Sequence, residues 1–379
     1  MSLLRREQFL DCLLLQFLFA RVRIDNEGRA AGRDPDDAIA EEEDVLHVRV
    51  FGQDGEVRLA LGLDGFLTRQ ATRLATLAGV EHSFARAQQV LNEFCGWQVD
   101  DEVIRKTTHA QAKRATRERP SRSDAAAFAE ASGGVEVLID AGKVNTLDGW
   151  RDVKIGLFLR RNPGSPATPA EWDTRRLPDP TTRTLVAAIE ECDAFGTRLR
   201  READRLKITA TPNISVLGDG AEWIWNLADE HLPQAQGTLD VFHAIEHVAD
   251  AAKGVWGGEN PATTTHIEAG RKALLAEGRP GLDRWLGDLF PHVPAGVSTS
   301  PLIGLAAYFA KHPTRLNYAE RLAKGQSIGS GAIEGAIKQN VNLRLKRTGA
   351  RWRVDSVGPL VELRALSYTQ DWQSLWNAA

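Results

Sequence analysis

A chain of 379 residues with 42% apolar side chains is long enough for two or three domains and apolar enough to pack a core. Its three cysteines, Cys12, Cys95 and Cys192, lie far apart with no C-x-x-C pair, which argues against a cysteine zinc ribbon and against a disulfide framework. The net charge of −4 conceals two blocks of opposite sign: residues 34–44 hold seven acids and no base, and residues 335–353 hold six bases and no acid.

In chain order, residues 1–65 form a mixed N-terminal region. The apolar run FLDCLLLQFLFA follows Arg5 and Arg6 but is interrupted by Asp11 and Gln16, and it is too short to span a bilayer. It reads as a buried helix or strand. The pieces VLHVRVFG (45–52) and VRLALGL (57–63) alternate like strands. Residues 66–125 change to helical periodicity. Two helices around Gly96-Trp97 resemble a helix-turn-helix, with a solvated helical bundle as the plainer alternative. Residues 118–133 read as a linker. Strand-like runs then alternate with helical ones: VEVLID (135–140), DVKIGLFLRR (152–161), a helix over 183–204, ISVLGD (214–219), a helix over 221–232, GTLDVF (237–242) and a helix over 243–256. Residues 257–326 are helical without evident strands, and the chain from Ser330 reads as helix almost to its end. The predicted class is α/β, with 126–256 and 327–379 forming one domain around a helical insertion at 257–326.

Asp140 and Asp219 each follow an apolar strand, the place where α/β sheets gather ligands. Glu334 falls in the first turn of a helix for which Ser330 is a plausible N-cap. Three carboxylates so placed suit hard divalent cations, Mg²⁺ or Mn²⁺, and a pair of such ions serves phosphodiester chemistry. Each acid also has a plainer reading. Asp219 with Glu222 makes a D-x-x-E capping box, Asp140 suits a turn, and Glu334 suits a helix-dipole partner.

The stretches GDGAEWIWNLADEHLPQAQGTLDVFHAIEHV (218–248) and GSGAIEGAIKQNVNLRLKRTGARW (329–352) resemble the DDE transposases of bacterial insertion sequences, in the Kra-type group related to Mutator-like elements. VEVLIDAGKVNTLDGWRDVKIG (135–156) and HSFARAQQVLNEFCGWQVDDEVIRK (82–106) match more weakly. The resemblance covers residues 60–375. It implies an RNase H-like catalytic domain with an all-helical insertion, behind an N-terminal, mainly helical DNA-binding region. It implies catalysis by Asp140, Asp219 and Glu334 holding two Mg²⁺ or Mn²⁺ ions, and a C/D-x-x-H element at Asp240-Val241-Phe242-His243, whose histidine positions DNA or the scissile phosphate. The partners implied are double-stranded DNA, both element ends and target, and further copies of the chain on that DNA, in the cytoplasm with the nucleoid and not on a membrane. Two departures stand out. Ala141 separates Asp140 from Gly142 where the family has Asp-Gly, and the family's N-terminal zinc ribbon is missing. A non-catalytic or domesticated DNA-binding relative is therefore the alternative.

Lys338, Arg344, Lys346, Arg347, Arg351 and Arg353 follow Glu334 closely and are expected to neutralise DNA phosphates. Trp352 suits base stacking or core packing. A second basic stripe, Lys106, Lys113, Arg114, Arg117 and Arg119, is the candidate for end recognition. Trp150, Trp223 and Trp225 read as core residues, while Trp256 and Trp285 stand undecided. From a different class, His243-Ala244-Ile245-Glu246-His247 matches the H-x-x-E-H zinc-peptidase signature, with Glu320 as a possible third ligand.

Overall fold

The computed structural model describes residues 63–64, 67–211, 213–369 and 371–377. The expected strands at 45–52 and 57–62, the apolar start and the acidic run lie outside them. Two compact units are present, Met1–Leu74 and Ala75–Ala379. Of the first, a two-residue antiparallel ladder, Leu63–Asp64 with Leu67–Thr68, and the start of α1 (Arg69–Glu81) are described.

The second unit is built on a five-stranded mixed sheet: β1 (Gly134–Thr146), β2 (Gly149–Arg161), β3 (Thr182–Ala188), β4 (Ile214–Gly218) and β5 (Gln236–Leu239), in the order β3-β2-β1-β4-β5. β1, β2 and β3 pair antiparallel, whereas β4 and β5 run parallel to β1. β4 reads ISVLG and all five residues are buried, as a parallel strand covered on both faces requires. β1 and β2 form a long hairpin around Leu147-Asp148, and Gly149 (φ 97°) supplies the positive φ that closes it. Residues 183–188 depart from the expected helix. Leu185 faces one core and Val186 the other, the period-two pattern of a strand, and the next helix starts only at Cys192.

Helices cover both faces. On one, Val135, Val137 and Ile139 pack with α5 (Cys192–Arg205), α6 (Glu222–His231) and α7 (Val241–Trp256). The region 257–326 is helical as expected: α8 (Pro261–Glu277), α9 (Arg279–Leu289), α10 (Ser300–Ala310) and α11 (Tyr318–Ala323). Its Leu274, Trp285, Leu302 and Phe309 join the same core, so the insertion shares the hydrophobic interior of the sheet domain. On the other face, Leu138 and Val144 meet α12 (Gly331–Ile337) and α13 (Val354–Tyr368). Short helix α14 (Asp371–Asn377) closes the chain.

The helix expected from Ser330 onward is broken. α12 widens into a π-helical turn, Lys338–Asn342, and ends at Leu345 before an extended loop. Arg364 of α13 donates to the carbonyls of Gln339 and Asn340 and so serves the oxygens that the π turn releases. The helices α2 (Phe84–Cys95) and α3 (Asp101–Glu118) form around the Gly96 turn as read, but the expected linker at 118–133 holds a short helix, α4 (Asp124–Glu130), because its Phe128 is buried in the core. Ala112 and Ala115 of α3 share a core with Leu363 and Leu366 of α13, so these helices belong to the sheet unit and do not stand apart from it.

Candidate active site

Strand register brings two of the acids together. β1 and β4 pair with an offset of 79 residues, Val135 with Ile214 through Leu138 with Leu217. Asp140 and Asp219 are separated by the same 79, so the register carried two steps further sets them side by side. Asp140 lies on the β1 face of Leu138, toward α12, and Asp219 is the first residue past β4. Asp140 does not end its strand, as VEVLID suggested; β1 runs on to Thr146 because β2 continues to pair with it, while β4 stops at Gly218.

Asp240 extends the row. β5 follows β4 at an offset of 21, Gly218 with Leu239, and Asp240 comes next, its N–H donating to the Gly218 carbonyl at 2.8 Å. Its side chain is fully buried. One oxygen accepts from the His243 N–H at 2.9 Å as the N-cap of α7, and the other accepts the Ser330 backbone N–H and, at 2.8 Å, the Ser330 hydroxyl. Ser330 thus takes the N-cap position of α12 as expected, but its hydroxyl is spent on Asp240 and makes no cap bond. This bond anchors the helix that bears Glu334. Farther along, Gly142 lets α12 sit close to β1: a Cβ there would lie 3.0 Å from Ile337 and 3.1 Å from Val341.

Burial is the largest influence on Asp140 and raises its pKa to about 6. The Ala141 N–H, donating at 2.6 Å, opposes this; the charges of Asp219 and Glu334 add to it and His243 subtracts. These four groups therefore act within one electrostatic field. Asp219 accepts from the Ala221 N–H at 2.8 Å, and its carbonyl accepts the Trp225 indole N–H at 2.7 Å. The capping box with Glu222 does not form; Ala221 is the N-cap of α6 and lacks a side-chain cap. Glu334 is exposed, 4.0 Å from Lys338. His243 is half-exposed, its Nδ1 3.6 Å from Glu246. The donors at hand are chiefly carboxylate oxygens, the set that hard divalent cations prefer. Among the described residues, no three His, Cys, Asp or Glu side chains stand close enough together to hold a metal ion as they are.

Beside Asp219 lies a group of rings, of which Tyr308 and His312 escaped sequence reading. His247 stacks on Tyr308 of α10, ring centroids 3.8 Å apart, and Tyr308 leans on His312. Burial lowers the pKa of His312 to about 4, with Arg315 and Lys311 pushing the same way. Burial raises that of Tyr308, which also feels Asp219 and Asp240. His247 is thus engaged with an aromatic ring, and Glu320 is paired with Lys324 at 2.6 Å, so the H-x-x-E-H residues and Glu320 are not assembled around a shared point. The C/D-x-x-H element marks Asp240, but the strand expected over GTLDVF ends at Leu239, and Asp240 caps the helix that begins at Val241.

The basic residues separate into two kinds. Lys338, Lys346, Arg347, Arg351 and Arg353 are exposed. Arg344 is a correction: it is 2% exposed, held between the rings of Phe84 and Trp352 (5.3 and 4.9 Å), with its guanidinium toward the Gly79 carbonyl. Trp352 donates its indole N–H to the Leu345 carbonyl and is partly buried. In the second stripe, Lys113 is exposed and Arg114 is paired with Glu118 at 2.8 Å. Arg119 is mostly buried, and its guanidinium is taken up by Glu202 at 3.0 Å and Glu362 at 2.9 Å. Trp225 and Trp285 are buried as core residues, but Trp150 is 61% exposed, contrary to the core placement.

No protein-family model matches the chain, and no curated protein matches it.

Proposed function

We propose that this chain is a DDE-type transposase that cleaves the ends of a mobile element and joins the freed 3′-hydroxyl to target DNA. The observation that carries the reading is the row of acids at the parallel strands: Asp140 within β1, Asp219 just past β4 and felt by Asp140 as a like charge, and Glu334 on a helix tied to Asp240, which follows β5. A mixed five-stranded sheet with helices on both faces is compatible with the RNase H-like core that the resemblance implies.

Asp140, Asp219 and Glu334 would hold Mg²⁺ or Mn²⁺, since half-buried Asp140 receives a single N–H bond and faces two like charges that a cation would offset. Bound in pairs, such ions activate a water or 3′-hydroxyl and stabilise the leaving oxygen of a phosphodiester. His243, placed by the Asp240 cap, presents an imidazole beside the acids toward the scissile phosphate. Arg347, Arg351 and Arg353 neutralise the flanking phosphates. Copies of the chain would assemble on the two element ends.

The test is cleavage of labelled element-end duplex in Mg²⁺ by the parent, Asp219→Ala and Glu334→Ala proteins. Cleavage falls by at least about a hundredfold in each variant, in line with loss of metal-assisted stabilisation worth several kcal/mol. Unchanged cleavage in both variants would remove these residues from the active site.

A further inference from the structure

The β1–β2 hairpin projects beyond its neighbours. β4 stops level with Ile139, and β3 stops level with Lys154, so residues 141–153 form an arm. At its tip, Leu147 is 53% and Trp150 61% exposed, a large apolar surface left in water. The tip is rigid by construction: Thr146 Oγ1 donates to the Gly149 carbonyl at 2.6 Å and accepts the Asp148 N–H at 3.2 Å. The loop that follows α12 is laid along it. The Trp352 N–H donates to the Asn145 carbonyl at 3.0 Å, and the Leu147 N–H donates to the Trp352 carbonyl at 2.9 Å. Because Trp352 turns inward onto Leu345, its neighbours Arg351 and Arg353 are left outward on the tip.

Charge names the occupant. Residues 143–153 and 346–353 carry six bases, Lys143, Arg151, Lys346, Arg347, Arg351 and Arg353, against Asp148 and Asp152. Asp152 is already paired with Lys143 at 3.0 Å. Among the described residues, the other five bases form no ion pair with a carboxylate. An apolar wedge flanked by arginines is the chemistry that enters a DNA groove and parts a base step, whereas a protein partner would call for a larger apolar face.

We propose that the hairpin tip is a DNA wedge: Trp150 stacks on a base that it unstacks from the duplex, Leu147 fills the opened step, and Arg351 and Arg353 hold the phosphates on either side. This rests on the transposase reading for its DNA and adds a contact outside the carboxylate crevice. From Asp140 to Leu147 the strand spans about 23 Å at ~3.3 Å per residue. At about 3.4 Å per base pair, the parted step lies within about seven base pairs of the cut.

The test uses a duplex that the parent protein cleaves, with 2-aminopurine substituted at successive positions and EDTA present so that binding is read without cutting. The parent raises the fluorescence at a position within about seven base pairs of the cut. Trp150→Ala abolishes the rise and weakens binding about fivefold or more, the loss expected of one base–aromatic stack, while Trp150→Phe keeps part of both. Parent-like fluorescence and affinity in Trp150→Ala and Leu147→Ala would overturn the wedge and leave the transposase reading intact. A parent protein that neither binds nor cleaves any element-end duplex overturns both.

Discussion

Asp140 is raised to about 6 by its burial first, and then by Asp219 and Glu334. For a carboxylate this means that the folded chain binds the proton more tightly than the unfolded one. The stabilising effect of that proton is complete below the ordinary value of 3.8 and is lost as pH rises through about 6. At pH 7 the ionised Asp140 therefore opposes folding. An Asp140→Asn protein, which keeps an oxygen for the Ala141 N–H, is expected to melt higher than the parent at pH 7 in metal-free buffer. The gap should close as pH falls from about 6 toward 3.8. A gap of the same size at every pH would show that repulsion at Asp140 is not its source. Trp150 shows the other direction of inference at this scale: its aromatic identity suggested a core, and its place at a hairpin tip decided otherwise.

Between β5 and α12, element is tied to element through one buried carboxylate. Asp240 accepts from α7 with one oxygen and from Ser330 with the other, so it sets both the N-terminus of α7, which carries His243, and the start of α12, which carries Glu334. Replacing it by Asn would turn one acceptor into an N–H donor facing the Ser330 or His243 N–H. A buried donor left unsatisfied costs about 1–3 kcal/mol. The Asp240→Asn protein should lose roughly that much stability in urea titration and lose cleavage activity beyond what its folded fraction explains. Activity proportional to the folded fraction would mean that the anchor is structural only. The π turn after α12 adds to the same picture, since Arg364 props the helix from α13 while Gly142 admits it against β1.

Across the whole molecule, a buried ionic network joins the helical N-terminal part to the sheet. Arg119, just past α3, binds Glu202 of α5, Glu362 of α13 and the Leu185 carbonyl of β3. Arg205 binds Glu202 and Asp124 alongside. Removing one partner of such a set strands the others as uncompensated buried charges, at a cost of about 3–5 kcal/mol. Arg119→Ala should therefore lower the unfolding free energy read from urea titration by that much while leaving the salt dependence of the proposed DNA binding as in the parent. A lowered salt slope with unchanged stability would instead return Arg119 to the phosphate contacts expected from its stripe.

Much of the architecture was legible because it is written in short-range chemistry. Apolar runs closed by Asp at 140 and 219 mark β1 and β4, GTLDVF marks β5 although Val241 and Phe242 already belong to α7, and three-to-four spacing marks the helices of 66–125. Adjacent charges mark the exposed bases of 346–353. What the residues could not disclose is long-range. TRTLVAA is a strand because β2 is there to pair with it. Asp140 lies inside β1 because β2 outlasts β4. Arg344 and Arg351 are alike as residues, yet one fills the gap between two rings and the other faces water. The interval of 79 between two acids is only a number until parallel register makes it a juxtaposition. Residue type sets what a side chain is able to do; pairing partners and burial, which need the folded chain, decide which of those things it does.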